Sequence, residues 1–267
     1  MLSISIVTYE LDTEIFGSLL VSLCKAIDKL PVDVACTSID IIDNGENALL
    51  IRTMVNNLEL NAYPIQVIEN EKNIGYGKAH NISILNTPSK YHLILNPDVV
   101  LDEDSLVLGI KHLEGDLGVV AICPSCTDAD GKTQFIAKRF PSISDLMLRG
   151  FAPAFLKKIF DKKLANYELR KEIEKNEIFP VEIISGCFML CRSDVLKEIK
   201  GFDERYFLYF EDFSLSLKLG NFGSLVFLPT MKIIHFGGHS AKKGFKHICY
   251  FIASAIKFFN QFRWKFR

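Results

Sequence analysis

The segment "YHLILNPDVVL", residues 91–101, decides how the chain reads. A short apolar run bounded by turn residues is a buried strand, and this one runs into Asn96, Pro97 and Asp98, where the proline ends ladder pairing and leaves a carboxylate at the strand's tip. Comparable runs stand on either side: "SISIVTY" (3–9), "SIDIID" (38–43), "IQVIEN" (65–70) and "GVVAICP" (118–124) are rich in Ile and Val and end at polar or glycine-containing turns. Between them lie helix-like segments. Residues 13–29 follow Asp12 as N-cap and put Phe16, Leu20, Leu23 and Ile27 on one face. Strands alternating with helices predict an α/β fold with a mainly parallel, Rossmann-like sheet flanked by helices, its ligands gathering beyond the carboxyl ends of the strands. Asp98 stands at that edge.

The chain's 267 residues, 49% of them hydrophobic, suffice for a large core without staples. Seven cysteines, an odd number scattered along the sequence, argue against a disulfide framework and for the cytosol. "MLSISIVTYELD" has neither a basic n-region nor an apolar h-region, and no apolar run approaches about 18 residues, so neither secretion nor membrane spanning is expected. Of the later segments, 181–192 and 224–236 read as strands and 142–176 as helices over the site, within one compact domain. The net charge of −1 hides an asymmetry. Residues 241–267 carry seven Lys or Arg and no acid, which leaves 24 basic against 32 acidic residues, a net −8, on the first 240.

The polar residues at the strand ends define one crevice. Thr8, Tyr9 and Glu10 follow the first strand, Asp43, Asn44 and Gly45 the second, Glu69 and Asn70 the third, and Asn96 to Asp98 the fourth. Each alone is an ordinary turn former, and it is their coincidence that points to a nucleotide, with Asp43 facing base or ribose and Asp98 facing a hard cation that bridges phosphates. In "ENEKNIGYGKAHN" (69–81), Gly75 and Gly77 allow close backbone approach, and the helix they open is expected to aim free N–H groups at the crevice.

Read in order, "SIVTYE", "IIDNGE", "NIGYGKAHN", "NPDV", "SGCFMLCR", "GFDERYFLYFEDFSLSLKLG" and "IIHFGGHS" resemble family 2 glycosyltransferases of the GT-A fold, nearest the bacterial rhamnosyltransferase-type branch. The resemblance covers residues 3 to about 240 and includes "RFPS" (139–142) before the helical insert. It implies inverting transfer of a sugar, rhamnose in that branch, from a dTDP- or UDP-sugar to a glycan or polyprenyl-linked saccharide in cell-surface polysaccharide synthesis. Asp98 then matches the last carboxylate of a DxD-type metal motif, with His235 as a further ligand of Mg2+ or Mn2+. Thr8, Tyr9, Glu10, Asp43, Asn73, Gly75, Gly77 and Asn96 fall around the nucleotide sugar, and His239 is a weaker candidate. Asp212 of the "ED" pair is the general base and Glu211 positions the acceptor, both expected to be kept ionised by the helix they begin. The chain departs from the family pattern at Glu10, where Asn is usual, and at Ser214, where an Asp often follows the pair.

The implied organisation is a GT-A domain over 1–240, with a nucleotide-sugar half (1–124) and an acceptor and catalytic half (125–240), and a basic aromatic helix over 241–267. On that helix Ile248, Phe251, Ile252, Ala255, Phe258, Phe259, Phe262 and Phe266 share one broad face, and Lys257, Arg263 and Arg267 lie off it. This predicts a peripheral enzyme on the inner face of the cell membrane; the alternatives are packing of the aromatics on the catalytic domain or on the second copy of a homodimer. Nothing points to nucleic acid. A sugar nucleotidyltransferase would place a Gly-rich, Arg- or Lys-bearing loop after the first strand, where "TYELDTE" stands. A non-catalytic scaffold would have lost Asp98 or Asp212, and both are present.

Overall fold

The structure, a computed structural model, describes residues 1–32, 34–237 and 244–266; His239, Lys242, Lys243 and Arg267 lie outside them. β1 (Leu2–Thr8), α1 (Thr13–Asp28), β2 (Cys36–Asp43), α2 (Ala48–Asn57), β3 (Ile65–Glu69), α3 (Tyr76–Asn86) and β4 (Tyr91–Leu95) alternate as the pattern predicts. β5 (Val99–Leu101), α4 (Ser105–Gly115) and β6 (Val119–Thr127) follow. Four short helices then succeed β7 (Ala137–Lys138): α5 (Ile143–Phe151), α6 (Ala154–Ile159), α7 (Asp161–Tyr167) and α8 (Arg170–Glu174). The remainder is β8 (Phe179–Val181), β9 (Ile183–Ile184), β10 (Phe188–Arg192), α9 (Ser193–Glu198), α10 (Glu211–Leu219), β11 (Ser224–His235) and α11 (Phe245–Gln261).

The main sheet runs β3-β2-β1-β4-β10-β6-β11-β5, with β8 paired to β11. Its first four strands are parallel, and β1 and β4 are wholly buried between helical layers; their buried polar residues satisfy one another, His92 lying 2.7 Å from Ser3 Oγ through Nδ1 and 2.8 Å from Ser5 Oγ through Nε2. Asp12 caps α1, its Oδ1 accepting from the amides of Glu14 and Ile15, each at 3.1 Å. The segment expected as one strand over 181–192 is broken into β8, β9 and β10, because Ser185 to Cys187 leave the sheet and turn Gly186 toward the cleft wall.

Two of the later pairings assemble the functional edge. β10 lies antiparallel between β4 and β6, and the Asn96 amide donates to the Cys187 carbonyl at 2.9 Å. β5 pairs antiparallel with β11, setting Val99 opposite His235, while the Phe236 amide donates to the Asp98 carbonyl at 2.9 Å. A carboxylate and an imidazole more than a hundred residues apart in sequence are thereby fixed side by side.

The C-terminal helix packs against the second half of the chain. Phe258 and Phe259 are buried in a cluster with Phe140, Ile183, Tyr206, Phe210 and Phe213, and Phe251, Ala255 and Phe262 pack around it. The broad apolar face expected to be free is therefore divided, because aromatic area is buried against aromatic area of the same chain. Ile248, Ile252 and Ile256 remain exposed.

Candidate active site

Beyond the carboxyl ends of β1 to β3, the strand tips are tied to one another. Asp43 is buried, and its Oδ1 accepts from Thr8 Oγ1 (2.8 Å), the Gly45 amide (3.1 Å) and Asn47 Nδ2 (3.0 Å), while Oδ2 accepts from the Asn47 amide (2.6 Å). Burial pushes this carboxyl's pKa up, but the donors outweigh burial and hold it below the ordinary value. Most of its accepting capacity is spent on shaping its own loop, which leaves room for one further donor at Oδ2. Tyr9 and Glu10 stand exposed on the same edge.

The start of α3 is closed more tightly than expected. Gly75 has φ +92°, and a Cβ there would meet the Phe207 carbonyl oxygen at 2.7 Å; a Cβ on Gly77 would meet Phe202 Cβ at 2.8 Å. The Gly75 amide donates to Asn73 Oδ1 (2.9 Å) and the Tyr76 amide to the Phe207 carbonyl (3.1 Å). These glycines admit the 202–207 loop, and the amides of Gly75 and Tyr76 are taken up within the chain. The expectation of free N–H groups at this turn fails for these two amides.

His235 Nε2 lies 3.4 Å from Asp98 Oδ1, and its Nδ1 is 3.0 Å from Gln134 Oε1. The histidine contact has ion-pair length without hydrogen-bond geometry, so Asp98 Oδ1 is buried with no hydrogen-bond partner. Burial raises the Asp98 pKa, and His235, helped by the backbone and Asn96, more than offsets it, holding the carboxyl below its ordinary value. A Cβ on Gly237 would come within 2.5 Å of His235 Nε2 and 2.6 Å of Asp98 Oδ2. The pair thus faces a small gap that only a glycine leaves open, and an anionic oxygen without a partner beside an imidazole suits a hard divalent cation. Among the described residues no third His, Cys, Asp or Glu joins them. Substrate oxygens would have to supply the other ligands.

The second carboxylate pair enters a cleft of about 810 Å³ lined by Gln134, Lys138, Glu211, Asp212, Phe213, His235 and Gly237 among others. Tyr209 (φ +68°) and Phe210 (φ +66°) both hold left-handed backbone just before α10, a strained arrangement of the kind found at functional sites. Asp212 Oδ2 accepts from the Gly186 amide (3.0 Å) and Oδ1 from the Phe213 amide (2.9 Å). Glu211 is buried with Oε2 unpartnered. Desolvation, and then the Asp212 charge, push the Glu211 pKa well above normal; desolvation raises that of Asp212 too, against the opposing pull of Lys138 and three backbone amides. The helix start does not keep both acids ionised, because burial outweighs its dipole. Glu211 is the member that keeps its proton as Asp212 ionises.

Tyr76 joins the two groups of residues. Its hydroxyl lies 2.7 Å from the Gly186 carbonyl and 3.0 Å from Asn96 Oδ1, spanning from the anchor of Asp212 to the tip that carries Asp98. Gln134, Lys138, Gly186 and Gly237 have no assigned role in the sequence reading. Gly186 and Gly237 fall inside motifs that carry the resemblance, whereas nothing local distinguishes Gln134 or Lys138 from surface residues.

No known protein-family profile matches the chain. Over 183 residues it is 28% identical to the rhamnosyltransferase WbbL of Escherichia coli (strain K12), covering 64% of each chain. It is likewise 28% identical over 191 residues to an N-acetylglucosaminyl-diphospho-decaprenol L-rhamnosyltransferase of Mycobacterium tuberculosis, covering 67% of this chain and 61% of the relative. The matches thus span less than two thirds of these curated relatives' own length. Among solved structures, GalNAc-T7 with UDP, GalNAc and Mn2+ superposes with a TM-score of 0.65 at 15% identity, covering 88% of this chain and 43% of that one. The mannosyltransferase PcManGT from Pyrobaculum calidifontis, in complex with GDP-Man and Mn2+, gives 0.62 at 16% identity, over 96% and 64%. The fold is that of the GT-A glycosyltransferases, and the curated relatives are rhamnosyltransferases.

Proposed function

We propose that the chain is an inverting, metal-dependent glycosyltransferase that moves a sugar from a nucleoside-diphosphate donor to a hydroxyl of a lipid-linked saccharide. Rhamnose is the sugar its relatives favour. The observation that carries this reading is the cleft itself: Asp212, anchored by the Gly186 amide, opens into the same space as His235, which stands 3.4 Å from Asp98. Residues 1–124 would hold the nucleotide sugar and 125–240 the acceptor.

In this mechanism Asp98 and His235 would hold a divalent cation, Mg2+ or Mn2+, which would supply positive charge against the donor diphosphate. Asp212 takes the proton of the acceptor hydroxyl as that oxygen attacks the anomeric carbon. The bond from this carbon to the phosphate oxygen breaks, its electron pair leaves with the nucleoside diphosphate, and attack from the opposite side inverts the centre. Glu211, protonated, can donate a hydrogen bond that places the acceptor. Thr8, Asp43 and Asn73 hold the nucleotide edge in shape.

No helix among the described residues is long and apolar enough to cross a membrane. Attachment would instead be peripheral. Ile248, Ile252 and Ile256 line the outside of α11, and the Phe151 ring, 5.8 Å from that of Phe251, connects this stripe to the exposed Met147, Phe155 and Ile159 of α5 and α6.

Calorimetry of dTDP and UDP with and without Mn2+ tests the core of this reading. The wild type should bind one of them in a metal-dependent way, and Asp98→Asn should lose that dependence while melting normally, since Asp98 lies at a half-buried edge outside the core. Metal-independent binding in the wild type, or undiminished metal dependence in the variant, would remove Asp98 from the site.

A further inference from the structure

Lys138 is the one lysine among the described residues that is buried outright, and the mechanism above leaves it without a task. It lies on β7, paired with Ile183 of β9, only 4% exposed, and its Nζ sits 5.5 Å from the centroid of the Phe213 ring. Phe213 adjoins Asp212 in the chain, so the ammonium lines the cleft on the side of the base. Burying a charge is costly unless something pairs with it. No carboxylate of the described residues forms a salt bridge with Lys138. The acid whose charge bears on it most, Asp212, is not within salt-bridge distance, and Glu168, which bears on it less, is engaged by Arg149 at 3.2 Å and by Arg170 at 2.6 Å. Burial, reinforced by the nearby Arg149, pulls the lysine down to about 8, so it remains mostly charged at neutral pH.

The cleft continues from this cation toward apolar surface. Arg149 and Leu146 of α5 line it beyond Lys138, with Phe251 of α11, and Phe251 touches Phe151, next to the exposed Met147 and Phe155. A base for a hydroxyl, a buried cation, a second cation at the mouth and then an apolar ramp succeed one another. A saccharide joined through phosphate to a lipid has the matching order of hydroxyl, anion and hydrocarbon.

We propose that Lys138, with Arg149 at the cleft mouth, binds the phosphate that links the acceptor saccharide to its lipid. This rests on the transferase reading above and adds to it the subsite that selects a phosphate-bearing acceptor. The lysine's missing counter-ion is then delivered by the substrate, and an acceptor without that phosphate leaves the ammonium buried and unpaired.

Farnesyl diphosphate is a suitable probe, titrated calorimetrically into the full chain in the presence of EDTA, with farnesol and inorganic pyrophosphate as separate arms. Farnesyl diphosphate should bind more tightly than either fragment. Lys138→Met should weaken it about tenfold or more, and Lys138→Arg much less, because the lost contact is a charge-assisted one. Farnesol binding should be unchanged in both. Arg149→Gln, on the exposed rim, gives a second reading should the buried substitution disturb folding, and it should weaken the probe severalfold. Absence of farnesyl diphosphate binding, or equal affinity in wild type, Lys138→Met and Arg149→Gln, overturns the proposal. Reduced transfer in Lys138→Met with unchanged probe affinity also overturns it, since the lysine would then act only on the charge of Asp212. Binding of dTDP or UDP with Mn2+ in the same proteins reports on the transferase reading separately.

Discussion

The Phe258 ring stacks on that of Phe140, with centroids 5.4 Å apart and an interplanar angle of 28°, and this contact ties the C-terminal helix to the second half of the chain. Phe258 is fully buried, and Phe140 opens the segment that leads from β7 into α5. Phe258→Ala should therefore cost about 3–5 kcal/mol, as large-to-small changes in aromatic cores do. Removal of everything after Gly244 would expose Phe140, Phe210 and Phe213 together. Thermal melts should show a large loss for the point variant and no stable cooperative unit for the truncation; a truncated chain that melts like the wild type would mean the helix merely rests on the surface.

Asp212→Asn keeps the shape of the side chain and can still accept from the Gly186 amide, yet cannot take a proton. Transfer should fall by about 10²-fold or more with donor binding retained. The wild-type rate should rise with pH through a limb lying above the ordinary carboxylate range, because burial raises the Asp212 pKa. A variant that turned over at near the normal rate would move the base to another group.

Glu211 supplies a stability test of opposite sign to that of a salt-bridged acid. Its folded pKa is raised by burial and by Asp212, so above about 4.3, where an unfolded glutamate ionises, the native state keeps a proton that the unfolded chain has released. Stability from this group is complete below that value and declines as pH rises toward the folded pKa. Glu211→Gln removes the decline. Its melting temperature should gain on the wild type more at pH 8 than at pH 5, and the acid limb of transfer should stay where it is, because Glu211 is neutral while Asp212 ionises. A gain that shrank with rising pH would show Glu211 to be ionised and paired in the native state.

These residues also mark what the sequence could and could not reveal. β1, β2 and β4 are legible because Ile, Leu and Val predominate in short runs bounded by polar turn residues. Asp98 is legible as a tip residue, since Pro97 ends the run. Its pairing with His235 is different: it depends on three residues of β5 adding antiparallel to the far end of β11, and so short an edge has no periodicity of its own. Lys138 is illegible for a related reason. In "FIAKRFPS" it resembles any surface lysine, and its burial arises only when the 143–174 helices and α11 close over β7. The left-handed pair Tyr209 and Phe210 is likewise hidden, because no local residue preference favours that backbone in an aromatic run.

Ile248, Ile252 and Ile256 recur every fourth residue and so share one side of α11, and they stay between 40% and 51% exposed while Phe258 and Phe259, towards the end of the helix, are buried. Packing on the second half of the chain accounts for the aromatics and leaves this stripe unexplained. Lys246, Arg263 and Lys265 belong to the same terminal segment, and basic residues near an anionic bilayer contribute about 1 kcal/mol each, less at high salt. Replacing the three isoleucines by Gln removes apolar area without opening the core, so the variant should melt like the wild type. The intact chain should float with phosphatidylglycerol-containing vesicles at low salt and release as salt rises, whereas the triple variant should remain in the soluble fraction. Equal flotation of both proteins, or equal binding to neutral vesicles, would show that this stripe is not what meets the lipid.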